Sequence, residues 1–349
     1  MRKSNLRLFL FSFFIMAFFL YLNIHSAAYA FEAKPIFEVD IGSSISDAGP
    51  KLGLWVEENR MTVYDKFYFP ASFAAYKNLD LVLVLDSIRN RICQYSLTGN
   101  YLGEIKLPFN YHPIDFAYFP ESRTMIIAFQ GTPNIGILEL NKYDTLIIDE
   151  HHEFNIAKIL GFEETDTLAQ HVWPCNIGNA SVNVFVLNFC LAPVQHAVFS
   201  YKYGDLKYIK DVKLYMTPPI GSSRGLEIMG IDRKQENIKI YNIKNGSLAK
   251  IRLPNEFAIT DEPSLLPSIE LVGTDMEDNL YIKARLGEKD VVKNTYIYKI
   301  KRSGVNVCRY EVPNWCLMIS NRYIFIDPDG NIFYMQKDPL RKTIKFYQF

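Results

Sequence analysis

The sequence predicts an all-β chain folded as a six-bladed β-propeller, and three observations predict it. Helical periodicity is almost absent after residue 31; short alternating or apolar runs are separated by Gly, Asn, Asp and Pro instead. A strand–turn–strand–turn–strand unit recurs along the chain at the length of a propeller blade. The last unit lacks an outer strand, and the first strand-like segment of the chain resembles the missing piece.

The chain begins with a basic end (Arg2, Lys3, Arg7), an apolar run from Leu8 to Leu22 broken by Ser12, and the small-x-small triplet Ala28-Tyr29-Ala30. That is the layout of a cleaved signal peptide. The apolar run is about fifteen residues, short of the roughly 20 needed to span a bilayer. Residues 1–30 are therefore expected to be a signal peptide and residues 31–349 a single propeller domain, periplasmic or extracellular. An uncleaved N-terminal anchor is the rival reading and leaves the same domain outside. No later segment suggests a membrane span, and no cysteine follows the apolar run to carry a lipid.

Composition narrows the partners. Of 349 residues, 49% are hydrophobic and 22% charged, enough apolar material for a folded core. Tyr and Phe number 22 and 25, which suits pleated, half-buried surfaces. The formal charge is zero, and loss of the three basic residues before position 31 leaves 35 basic against 38 acidic side chains, a net −3. With no basic excess to neutralise phosphates, a nucleic-acid partner is not expected.

The clearest unit runs from Leu81 to Pro108: L-V-L-V-L-D, S-I-R-N, R-I-C-Q-Y-S-L, T-G-N, Y-L-G-E-I-K-L-P. Further copies begin near residues 125, 183, 226, 280 and 331, at spacings of 44, 58, 43, 54 and 51. An extra strand precedes most copies, as an innermost strand would; Pro70 to Tyr76 and Pro113 to Tyr118 are the plainest. Pro35-Ile-Phe-Glu-Val-Asp-Ile41 resembles Gly103 to Phe109 and is expected to complete the sixth blade, closing the ring and removing an exposed sheet edge. A seventh blade would need roughly another 45 residues.

Asp86-Ser-Ile-Arg-Asn-Arg-Ile-Cys-Gln-Tyr-Ser-Leu-Thr-Gly-Asn100 resembles the NHL repeat, whose blades carry D-x-x-N-x-R-I-x-x-[YF]-x-x-x-G. Asp278-Asn-Leu-Tyr-Ile and Asp329-Gly-Asn-Ile-Phe resemble the D-G-N-[IL]-[YF]-[IV] strand of the same repeats. The other blades lack the Arg and the full turn. The resemblance implies an NHL-repeat-like six-bladed propeller of the TolB-like superfold rather than one NHL protein, and the style of the leader suits an exported bacterial protein.

Propellers bind where the loops leading into the innermost strands converge at the channel mouth. Phe69, His112, His171, Trp173 and Arg224 are the candidate binding residues there. His112 and His171 precede innermost-strand segments in successive blades, and gluconolactonase-type propellers and NHL-like lyases hold a metal on such positions. A site needs three or more ligands, however, and the matching positions elsewhere read Phe69, Met216, Ser268 and Ile319. No metal, no other cofactor and no catalytic residue is therefore assigned. His151-His152 reads as part of a solvated loop between blades; were it extended, the two rings would point to opposite faces and could not easily chelate one ion. Asp86, Asp232 and Asp327 read as turn-forming residues. Of five cysteines, Cys308 and Cys316 are the nearest pair and the candidate disulfide. No phosphate-cradling Gly-rich loop, G-x-S-x-G elbow or H-E-x-x-H helix occurs.

The expected function is a non-enzymatic, monomeric binding or scaffold module for a protein or small-molecule ligand. The alternative is a metal-dependent lyase or hydrolase at the channel mouth, resting on His112 and His171.

Overall fold

The structure is a computed structural model. It describes residues 30–31, 33–44, 46, 48–55, 70–141, 146–163, 169–175, 182–189, 196–212, 220–232, 237–253, 269–288, 291–312, 322–338 and 340–349. The expected signal peptide lies outside them apart from Ala30.

Three strands come first: β1 (Ala30–Phe31), β2 (Lys34–Gly42) and β3 (Leu52–Leu54). The first blade follows as β4 (Ser72–Tyr76), β5 (Leu81–Asp86), β6 (Arg91–Tyr95) and β7 (Tyr101–Lys106). The second is β8 (Pro113–Phe119), β9 (Thr124–Phe129), β10 (Asn134–Leu140) and β11 (Ile148–Asn155). The third is β12 (Ala169–Cys175), β13 (Asn183–Phe189), β14 (His196–Lys202) and β15 (Asp205–Asp211). The fourth is β16 (Ile220–Gly221), β17 (Glu227–Asp232), β18 (Asn237–Asn242) and β19 (Leu248–Arg252). The fifth is β20 (Ile269–Thr274), β21 (Leu280–Glu288), β22 (Val291–Ile300) and β23 (Asn306–Val312). The sixth has β24 (Ile324–Ile326), β25 (Ile332–Asp338) and β26 (Thr343–Gln348). The innermost strands touch in turn, β4 to β8, β12, β16, β20, β24 and back to β4, which closes the ring.

The residues explain the layering. In blades 1 and 2 the two inner strands are buried along their whole length, because neighbouring blades cover both faces. They accordingly read as continuous apolar runs such as Leu81-Val-Leu-Val-Leu85. Outer strands such as β11 and β15 face solvent at the rim and are largely exposed. Each expected copy start falls within a residue of the blade's second strand.

The expected closure is present. β2 pairs antiparallel with β26 as the fourth strand of blade 6, Phe37 opposite Phe346 and Val39 opposite Ile344. The Phe37 and Phe346 rings stack with centroids 4.5 Å apart. The turn between β5 and β6 of blade 1 latches the segment that follows β2. Asp86 accepts from Arg89 (2.8 Å) and Arg91 (3.2 Å). The same guanidiniums reach the Ser44 carbonyl (2.6 Å, from Arg89) and the Gly49 and Lys51 carbonyls (3.1 and 2.6 Å, from Arg91). Asn90 turns the corner at φ 51, in the left-handed region that Asn tolerates.

Three features depart from the sequence reading. β1 adds to the rim of blade 5, and β3 adds parallel to β2. His151-His152 is not in a loop: it lies mid-way along β11, which runs on to Asn155. A short helix, α1 (Ile156–Leu160), follows, capped by the Asn155 side chain accepting from Lys158 N and ended by Gly161 at φ 74.

Candidate functional site: a polar plug between the innermost strands

Innermost strands of a propeller crowd together, so small and apolar residues suit them, as in Phe73-Ala-Ala75. Asp115 on β8 breaks that pattern while wholly buried. Its Oδ1 accepts from Ser72 Oγ on β4 at 2.7 Å. Its Oδ2 accepts from Arg322 Nη2 at 2.9 Å and from the Val172 amide on β12 at 3.2 Å. His171 Nδ1 stands 3.6 Å from the same oxygen. Burial alone would raise this carboxyl, but the Arg322 charge, His171 and the Ser72 hydroxyl outweigh it and hold it below the ordinary carboxylate value.

Arg322 precedes β24 and is itself buried. It donates to the Phe116 carbonyl at 3.2 Å and the Val172 carbonyl at 2.7 Å, and its guanidinium lies 4.1 Å from the Trp173 ring centroid, a cation–π stack. Its backbone amide donates to Ala71 O at 3.2 Å. Arg322 thus ties blade 6 to blades 2 and 3 through its side chain and to blade 1 through its backbone amide. Beyond Trp173 a second charged pair continues the plug. Lys283 on β21 sits opposite Glu270 on β20 and pairs with it, and donates to Tyr323 Oη at 2.8 Å. Burial by itself would lower Lys283, but Glu270 and Tyr323 hold it above the usual lysine value. Trp173, Glu270, Lys283, Arg322 and Tyr323 bound a cavity of about 20 Å³, roughly the room one water needs.

The plug binds blades to each other. Asp115 carries a guanidinium and cannot act as a free base, and the Ser72 hydroxyl is spent on that carboxylate rather than on an imidazole, so no Ser–His couple forms here. Of the candidate residues, His171 and Trp173 belong to this cluster. His112 lies exposed before β8, its carbonyl accepting from Gln130 N at 2.8 Å. Arg224 does not join them: it sits in the turn from β16 to β17, at the end where innermost strands leave the channel, and pairs with Asp278 at 2.9 Å. Phe69 lies outside the described residues, as do Met216, Ser268, Ile319 and Cys316. Cys308 is a free thiol that donates to Tyr310 Oη at 3.2 Å. Asp327 is a turn former, accepting from Asn331 N at 2.7 Å, while Asp232 pairs with Lys239 at 2.6 Å across its hairpin.

Asp115, Arg322, Glu270 and Lys283 escaped the sequence reading. Their signal is a charge set in an apolar innermost or second strand, as in Ile114-Asp-Phe116 and Tyr281-Ile-Lys-Ala284. Such a charge must find a partner or stay out of the core.

No family model matches this chain, and no curated protein matches it. Solved structures do. A member of the DUF4221 family from Bacteroides vulgatus is 10% identical, covers 90% of this chain and 97% of its own, and superposes with a TM-score of 0.51. Regucalcin, a calcium-binding protein from Agrobacterium tumefaciens, is 11% identical over 92% of this chain and 95% of its own, with a TM-score of 0.49. A streptogramin B lyase is 12% identical over 80% of this chain and 92% of its own, with a TM-score of 0.44. The ring of innermost strands identifies this chain as a six-bladed β-propeller, and the likeness to the DUF4221 member, at 10% identity, speaks for that fold alone.

Proposed function

We propose that this chain is an exported, NHL-repeat-like binding propeller that takes a protein partner on one face of its ring without catalysing a reaction. The observation that carries this reading is a run of exposed apolar side chains on the face where innermost strands leave the channel. Ile147, Tyr203 and Val305 come from the turns between third and fourth strands of blades 2, 3 and 5, Leu248 opens the fourth strand of blade 4, and Leu79 and Met276 come from first turns of blades 1 and 5. Antiparallel order puts all these turns at the same end. Tyr203 is 81% exposed and Val305 59%. Single exposed apolar residues are ordinary, but one from each of five consecutive blades suits a broad partner surface. The Asp115–Arg322 pair and the contacts of Lys283 with Glu270 and Tyr323 support the same reading, since they tie strands and blades together rather than present free catalytic groups. The leader layout supports export.

The test is a photo-crosslinking residue at position 203 in the cells that make the protein. A discrete crosslinked protein that disappears with Leu248→Lys and Val305→Lys supports the reading. No product from this face overturns it, as does metal-dependent turnover by the purified chain that His112→Ala with His171→Ala abolishes.

A further inference from the structure

Away from the channel, at the seam between blades 2 and 3, three metal-ligating side chains meet. Glu139 on β10 lies directly opposite Glu150 on β11, and His152, two residues further along β11, shares the face of Glu150. One ligand atom from each lies within 4.8 Å of the other two. His152 Nε2 is 3.6 Å from Glu150 Oε2 and 3.9 Å from Glu139 Oε1. Donors about 2.1 Å from a tetrahedral zinc stand roughly 3.4 Å from each other, so only small rotations would close the set.

Three further observations point at a ligand. His152 Nε2 is shielded from solvent yet makes no hydrogen bond. The ring is steadied by the neighbouring blade, with Gly204 against its edge and the Tyr201 ring centroid 6.1 Å away. Tyr201 donates its hydroxyl to Glu139, and its own oxygen accepts from the Gly204 amide at 3.0 Å, so Glu139 is held by a partner beyond the ligand set. Outer partners of this kind orient metal ligands. His151, on the opposite face, packs near Phe109 and takes no part.

We infer that Glu139, Glu150 and His152 form a surface site for a divalent cation of the zinc class, away from the channel. One imidazole and two carboxylates suit such an ion, and a fourth position stays open to solvent. The full mature chain, stripped with chelator, is titrated with zinc by calorimetry. The expected result is one equivalent bound per chain, weakened at least about tenfold by Glu150→Gln and by His152→Ala, and about tenfold by Tyr201→Phe through Glu139. His112→Ala with His171→Ala should leave it unchanged. Glu150 projects into solvent, with 68% of its side chain exposed, so its variant should fold even if the histidine variant does not. No saturable binding from micromolar to millimolar zinc overturns the site, and so does binding that Glu150→Gln leaves at full strength.

Discussion

Asp115 and Arg322, 207 residues apart in sequence, meet at 2.9 Å between the innermost strands, both almost wholly shielded from water. A buried pair of this kind is not a large net gain in stability, because desolvation of both charges offsets their attraction. Through Ser72, Val172 and Arg322 it joins blades 1, 2, 3 and 6.

Breaking the pair from one side should therefore be costly. Arg322→Met strands a buried carboxylate and should lose about 3–5 kcal/mol of unfolding free energy. Asp115→Asn should also destabilise. Combined, the two should cost less than the sum of the single changes, because the double variant leaves no unpaired charge. Urea unfolding of the four proteins checks this, and strictly additive costs would show the pair to be uncoupled.

Acid should loosen the ring through the same residue. Asp115 and Asp275 are both held below the ordinary carboxylate value, Asp275 by Asn279, Tyr281 and Lys299 against the opposing effect of burial. A lowered folded value gives stability that is complete above the unfolded value, about 3.9, and is lost as pH falls from there through the folded value. Asp327 runs the other way, since burial raises it, and returns part of the loss. The melting temperature should thus fall as pH drops below about 4. Asp115→Asn should flatten that fall, and an unchanged slope in this variant would remove Asp115 from the account.

Closure gives a third expectation. Removing residues 31–42 takes away β2 with Val39 and Ile41, both in the core, and exposes the edge of β26. Two buried aliphatic side chains alone correspond to at least about 3 kcal/mol. Thermal melting of the truncated chain should shift clearly downward; an unaltered melt would refute the arrangement.

Glycines at blade contacts should resist substitution. A Cβ at Gly273 would lie 2.5 Å from Ile326, between blades 5 and 6. Gly273→Ala should cost about 1–3 kcal/mol through overpacking. Gly225→Ala, with nothing near its Cβ, should be close to neutral, and equal melts of the two variants would refute the packing argument.

The sequence by itself determined the six strand repeats, the approximate start of each blade and the closing role of Ile36 to Ile41. These follow from local alternation, turn residues and repeat spacing, which short windows of sequence record. It also held the argument that His151 and His152 face apart, since that needs only the period of a strand. The tertiary structure decided the rest. Nothing near Asp115 in the chain names Arg322, and nothing near Glu139 names Tyr201, because those partners are supplied by other blades once the ring closes. A charge in an apolar strand says that a partner must exist, while the ring geometry alone decides which residue it is.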